Sequence, residues 1–168
     1  TAELVPQEVN REGTDPRGMR IIFRRSGMLD AEGPLILEKS VTVFAGEDEI
    51  DTSYILHNTG PHPLEYWFGV EFNLAMMGGY DEQRWFEIPD RELPERHLAS
   101  TGSEEQVEQV SLHDNHRGLE VALKFSRPAQ LWRAPIETIS LSESGLERVY
   151  QQSLLLPRWK IELYPGKS

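Results

Sequence analysis

The sequence predicts an all-β protein, an antiparallel β-sandwich with little helix. Three observations carry this. Leu64 to Tyr80 alternates strictly: Phe68, Val70, Phe72 and Leu74 fall on one face, and Trp67, Gly69, Glu71 and Asn73 fall on the other. That is the period-two pattern of a half-buried strand. About ten strand-like stretches recur at turn spacings of roughly 8–12 residues, the pattern of a sandwich or barrel. No segment keeps a convincing helical period over three turns.

In chain order, Thr1 to Gly18 is a polar lead-in loop punctuated by Pro6, Gly13 and Pro16. Met19 to Arg25 is a first strand, with Met19, Ile21 and Phe23 on one side. Gly33-Pro34 interrupts the pattern, Leu35 to Ala45 is one long strand or two short ones, and Gly46-Glu47-Asp48 is a turn. Ile50 to Leu56 alternates as a third strand. Asn58 to Pro63 reads as a hairpin connection, so the strands it joins are expected as antiparallel neighbours. Asp81 to Gly102 contains Pro89 and Pro94 and shows no clear period. A stretch of that kind is expected to be functional or mobile.

Pattern returns at Val107 to Leu112, although Glu104 to Val110 also fits a short helix capped by Ser103. His113 to Gly118 is a turn. Leu119, Val121, Leu123 and Phe125 form a strand that Arg127-Pro128 breaks. Gln130 to Ala134 and Ile136 to Leu141 are strand-like around Pro135. Ser142 to Gly145 is a turn or loop, and Leu146 to Leu156 alternates again. Pro157 opens a last strand, with Trp159, Ile161 and Leu163 on one face.

A chain of 168 residues suits one sandwich domain over residues 1–168, with 1–18 as its lead-in. With 28 acidic and 17 basic residues the net charge is -11, which argues against nucleic acid and against an anionic membrane surface. The absence of cysteine excludes a disulfide framework and cysteine-based metal sites, and it suits the cytoplasm. No apolar run approaches the ~18 residues of a membrane span, and no signal peptide is visible. The chain opens on Thr1 without Met, as expected of a C-terminal fragment of a longer protein.

Candidate chemistry is sparse. His113, Asp114 and His116 share a turn, but a metal needs further ligands converging from elsewhere. The other reading is a polar turn in which Asp114 and Asn115 bond nearby backbone. No metal or cofactor is expected. Asp51, Ser53 and His57 lie on one strand without a Gly-x-Ser-x-Gly elbow, which excludes serine catalysis. Gly78-Gly79 alone is a turn signal. Glycoside chemistry needs a carboxylate pair; Glu71, Glu137, Glu143 and Glu147 lie on or beside strands, yet most carboxylates of so acidic a chain are solvated. Among the tryptophans, Trp159 alternates with core residues, Trp132 has no determined facing, and Trp85 sits in the weakly patterned segment. Trp67 shares a face with Glu71 and Asn73. That row suits stacking on a sugar with hydroxyl contacts beside it, and it equally suits a polar interface against another sheet. Gly69 within the row implies either a bend or a close approach to the backbone.

Trp67-Phe68-Gly69-Val70-Glu71-Phe72-Asn73-Leu74 and the long stretch Leu131 to Gln151, beginning Leu131-Trp132-Arg133-Ala134-Pro135-Ile136-Glu137, carry a resemblance. Together they resemble the C-terminal β-domain of the α-amylase and 4-α-glucanotransferase group of glycoside hydrolase family 57. Leu37-Glu38-Lys39 and Leu155-Leu156-Pro157-Arg158-Trp159 sit where that domain would place them, and the similarity runs from about Ile22 to Leu163. It implies a β-supersandwich akin to the galactose-mutarotase-like fold. It also implies that the retaining chemistry belongs to an N-terminal distorted (β/α) barrel. No part of this chain resembles that barrel, so no catalytic residue is carried over.

The expectation is therefore an accessory carbohydrate-binding-type β-domain of a cytoplasmic α-glucan-processing enzyme. Its partners would be the N-terminal catalytic barrel and an α-glucan or maltooligosaccharide. Trp67, Glu71 and Asn73 would make the contact, with Gln130, Trp132 and Gln151 joining by placement from the resemblance. Two rivals stand beside it. One is a purely structural domain that supports the barrel. The other is a free-standing mutarotase-like enzyme, which needs an acid and a base at one pocket, for instance His113 with Glu137 or Glu143.

Overall fold

The computed structural model describes residues 18–29, 33–142 and 145–168, and these contain nine strands and no helix. The lead-in loop before Gly18, together with Glu143 and Ser144, lies outside the described residues. The six strand pairs whose register is described are antiparallel. The all-β class follows from the alternation, since side chains of period two can satisfy only a pleated backbone with one face buried. The described residues divide into two compact units, one running up to Tyr66 and taking in Ile161–Ser168, the other lying within Trp67–Lys160.

The first unit holds the meander β1 (Gly18–Leu29), β2 (Gly33–Phe44) and β3 (Ile50–Asn58). Gly46, at φ +84, makes the β2–β3 turn that the sequence marks. Gly33-Pro34 opens β2, so the expected interruption is the start of a strand. Ser40 is buried within β2 and shares a 2.8 Å hydrogen bond with Ser53, while Arg20 donates to it at 3.2 Å.

Asn58 to Pro63 is not a hairpin. β3 pairs with β2, whereas β4 (Leu64–Gly69) belongs to the other sheet, so the two strands are not neighbours. The cause is Asn58, which is buried and fully used. Its amide nitrogen donates to the carbonyls of His62 (2.7 Å) and Leu163 (2.9 Å), and its Oδ1 accepts from the Gly60 N–H (2.9 Å). Its backbone accepts from Gly166 and donates to Lys167. The C-terminal tail thus takes the bonds that a hairpin partner would have taken.

The second sheet runs β4-β9-β8-β7-β6, with β5 also pairing β9. Its further strands are β5 (Phe72–Leu74), β6 (Arg84–Glu87), β7 (Gly102–Asp114), β8 (Leu119–Ser142) and β9 (Gly145–Leu163). The organising stretch keeps its alternation across the β4–β5 break: Phe68, Val70, Phe72 and Leu74 are half-buried, and Trp67, Gly69, Glu71 and Asn73 are exposed. The Val70 N–H donates to the Pro157 carbonyl (3.1 Å), which holds the break against β9.

The core of this unit gathers Met76, Phe86, Ile88, Leu98, Val107, Val110, Leu112, Leu131 and Leu155. Phe86, Ile88 and Leu98 come from Asp81–Gly102, the segment expected to be functional or mobile. Its prolines and turns remove periodicity without removing burial. Backbone bonds from Phe86 to Arg96 (2.7 Å) and from Ala99 to Gly79 (2.8 Å) hold it in place.

β7 is a strand throughout, so the short-helix reading is wrong. The register slips between Glu104 and Gln109, and Gln106 stands at φ 54. This irregularity puts Val107 and Val110 on the core side three residues apart, a helix-like spacing made by a bulge. β8 likewise does not stop at Arg127-Pro128. Four of its residues, Phe125 to Pro128, are absorbed between the Gln109–Lys124 and Val107–Ala129 pairs, and the strand continues. Pro135 is accommodated opposite Ser153, and Pro157 lies within β9 opposite Leu131. Trp159 packs as expected of a core residue, stacked at 6.3 Å on Phe68 and edge-on at 5.9 Å to Phe125.

Candidate functional site: an exposed tryptophan pair

Register decides which side chains share a face, because antiparallel partners point the same way. Leu131 and Leu155 face the core of this unit. Trp132 and Leu156, Gln130 and Arg158, and Asn73 and Leu154 are partners one step out of phase with them. Asn73, Trp132, Gln130 and Arg158 therefore lie on the sheet face opposite the core. Trp67, Gly69 and Glu71 belong to the same row as Asn73. The expected Trp67–Glu71–Asn73 row and the two additions Gln130 and Trp132 thus occupy one face.

Arg158 organises part of that face. Its guanidinium carbon lies 4.5 Å from the Trp67 ring centre and 3.4 Å from the Trp132 ring centre. Its Nε donates to Gln130 Oε1 (2.6 Å), and the Gln130 amide donates to Glu105. One cation thus serves two indoles and is itself oriented by a polar chain. A guanidinium over an aromatic face contributes about 0.5–2 kcal/mol, more as it loses water. The indoles stay open to solvent all the same, Trp67 at 50% and Trp132 at 41%. Neither Arg158 nor Glu105 is among the residues expected from the sequence. Arg158 was nonetheless legible: it stands next to Trp159, so a core Trp159 puts Arg158 on the outer face.

The other expected residues are placed differently. Asn73 donates to Glu71 at 2.7 Å, so each satisfies the other. Gln151 bonds the Thr138 hydroxyl (3.1 Å) and the Val149 carbonyl (3.2 Å), within the β8–β9 hairpin and away from the indoles. The space that Gly69 leaves is not free for a sugar ring. A Cβ there would sit 3.1 Å from Leu156 Cδ1, so the close approach is made by the chain's own leucine.

The His113–His116 turn is structural. Asp114 is buried and accepts from Arg84 Nε (2.9 Å), the Arg117 side chain (3.3 Å) and the Arg117 N–H (3.2 Å). The Arg84 hydrogen bond foremost holds its carboxyl below the ordinary carboxylate range. Asp81 is lowered as well, first by the Gln83 N–H and then by His116 at 3.0 Å. Among the described residues no His, Asp and Glu side chains converge in a metal-binding group. His113 stacks on Trp85 (4.9 Å) and faces Glu87 (3.3 Å). Glu137 instead accepts from the Tyr80 hydroxyl (3.3 Å) and meets Arg148 (3.6 Å). His113 pairs with Glu120 near the start of β8, and Glu137 lies far along that strand. The two side chains are thus engaged by different partners, His113 by Trp85 and Glu87 and Glu137 by Tyr80 and Arg148, and no contact joins them as an acid–base pair among the described residues. Glu143 lies outside the described residues.

The model of the family described as Alpha-amylase/4-alpha-glucanotransferase, C-terminal, matches residues 6–166. The chain belongs to this family. As a member of it, the domain is 32% identical over 163 residues to "Alpha-amylase 1" of Dictyoglomus thermophilum, covering 96% of this chain and 22% of that protein. It is 28% identical over 131 residues to a 4-alpha-glucanotransferase of Thermococcus kodakarensis, covering 78% of this chain and 16% of that protein. The solved 4-alpha-glucanotransferase of Thermococcus litoralis superposes with a TM-score of 0.60 over 88% of this chain and 20% of that one. At 22% identity that likeness concerns the fold. The chain spans about a fifth of the length of these relatives, so an α-amylase or glucanotransferase C-terminal domain is a part of a much larger enzyme.

Proposed function

We propose that this domain is the accessory part of an α-glucan-processing enzyme and contacts the glucan through Trp67 and Trp132. The observation that carries this is the pair of half-exposed indoles held by one guanidinium. A sheet face designed only for solvent does not keep two tryptophans open to water. An indole face suits the C–H side of a pyranose, and Gln130, Arg158 and Glu105 offer polar groups for its hydroxyls. Family membership supports a glucan as the sugar. Chemistry is assigned to the catalytic part of the parent enzyme, and this face supplies affinity and placement. Glu71 and Asn73 extend the same row as a secondary contact.

The test is a titration of maltooligosaccharide into the protein, followed by tryptophan fluorescence and amide shifts. Trp67→Ala and Trp132→Ala should each weaken binding by roughly 1–3 kcal/mol, as truncation of an aromatic anchor does. Unchanged affinity in both folded variants, or shifts confined to another surface, rejects this face. An absence of binding in the wild type leaves the purely structural role.

A further inference from the structure

The far end of the β8–β9 hairpin is built as a covered surface, yet none of the described residues covers it. The last β5 pair on β9 is Leu74–Ser153, and the last β7 pair on β8 is Gly102–Arg133. Beyond these, among the described residues, Thr138–Leu141 and Leu146–Val149 pair only with each other. A two-stranded ribbon on its own is marginally stable in water.

Its two faces differ. Glu137 pairs with Tyr150, which packs against the core, so that face continues the core side. Two and four residues further on, the same face carries the pairs Ile139–Arg148 and Leu141–Leu146. The opposite face carries Thr138, Ser140, Glu147 and Val149. The sequence alternates here as a half-buried strand does. Even so, Ile139 is 65%, Leu141 82% and Leu146 80% exposed. Tyr80, 66% exposed and bonded to Glu137, lies at the root of the same face with Arg148 beside it. An apolar centre accompanied by Tyr and Arg is the composition of a protein interface.

We propose that the Ile139–Leu141–Leu146 face of this arm docks against the remainder of the parent enzyme's own chain. The occupant follows from length. The relatives that this chain matches extend far beyond it, the domain making up only 16% to 22% of each. A covalently attached partner is present at high effective concentration, which a second copy in dilute solution is not. The proposal rests on the reading that the domain is carried by a longer enzyme. It does not depend on glucan contact at Trp67 and Trp132, which lie on the other face of the sheet.

The experiment uses the full-length parent enzyme. Hydroxyl-radical footprinting reads the side-chain accessibility of Ile139, Leu141 and Leu146 against leucines exposed elsewhere. The expected result is several-fold lower modification at the arm, independent of protein concentration. Modification at the rate of freely exposed leucines overturns the proposal, and so does protection that disappears on dilution, which assigns the face to a second copy. Leu141→Ser combined with Leu146→Ser should also expose the arm to limited proteolysis and separate this domain's melting from that of the rest. A single unchanged transition with unchanged cleavage counts against it. Maltooligosaccharide shifts at Trp67 are expected to persist in the double variant, so loss of docking and loss of glucan binding are read separately.

Discussion

Arg158 lies closer to Trp132 than to Trp67, 3.4 Å against 4.5 Å from the ring centres, and so acts as a spacer between two rings on neighbouring positions of the outer face. The contact depends on the planarity of the guanidinium, which a lysine ammonium lacks. Arg158→Ala should therefore raise acrylamide quenching of the tryptophan emission and lower stability by about 0.5–2 kcal/mol in urea titration. Arg158→Lys should restore the charge without restoring protection from quenching. Full rescue by lysine would mean that charge alone matters at this position.

Gln106 holds a left-handed backbone at the bulge of β7. A non-glycine residue there carries a steric cost of about 1–2 kcal/mol, part of which glycine relieves against its own larger chain entropy. Gln106→Gly is expected to raise stability by about 0.5 kcal/mol, read as a higher urea midpoint at unchanged slope. A lower midpoint would show that the glutamine side chain contributes more than the strain costs.

Asp114 gives the fold an acid-sensitive joint. Its folded carboxyl is held below the ordinary value of 3.8, first by the Arg84 hydrogen bond. A lowered pKa means that the stabilisation is complete above that ordinary value. It drains away as the pH falls below it and through the folded-state value. Asp114→Asn should remove that part of the pH dependence: the wild type loses stability faster than the variant on going below about pH 4. Parallel acid profiles would place the acid sensitivity elsewhere.

The strands that alternate cleanly could be read from the sequence, because burial on one face is written directly into period two. Leu64 to Leu74 shows this best: both its faces follow from side-chain type, although the break at Val70-Glu71 does not. The β3–β4 relation could not be read, since the decisive bonds run from Asn58 to Leu163 and Lys167, more than a hundred residues away in the chain. Phe86, Ile88 and Leu98 were hidden because irregular backbone can bury single residues without any period. At the candidate site, Trp67, Trp132 and Gln130 were legible as types that suit sugar. Their meeting depended on register between β8 and β9, which only the fold supplies. Gln151 illustrates the converse: it has a suitable side chain, but a register shift at Ile136–Glu137 turns it toward Thr138.

Arg133 shows what such alternation costs when a charge falls on the core side. It stands between the outer Trp132 and Ala134, opposite Gly102, and is 2% exposed. Its guanidinium donates to Glu104 (3.2 Å) and to Ser100, and lies 5.3 Å from the Phe86 ring centre. Glu104 is itself largely buried, and Gly102 leaves the room: a Cβ there would fall 2.6 Å from the guanidinium. Removing one member of such a pair strands the other charge without water, whereas replacing both by apolar groups removes the desolvation cost as well. Glu104→Leu alone is expected to cost about 3–5 kcal/mol, and Arg133→Met alone a similar amount. The double variant Glu104→Leu with Arg133→Met should recover most of that loss. The measurement is a double-mutant cycle of urea unfolding, with a coupling of roughly 2 kcal/mol or more expected between two groups in direct contact. Simple additivity of the two losses would show that Arg133 is held chiefly by Ser100 and Phe86, with Glu104 contributing little.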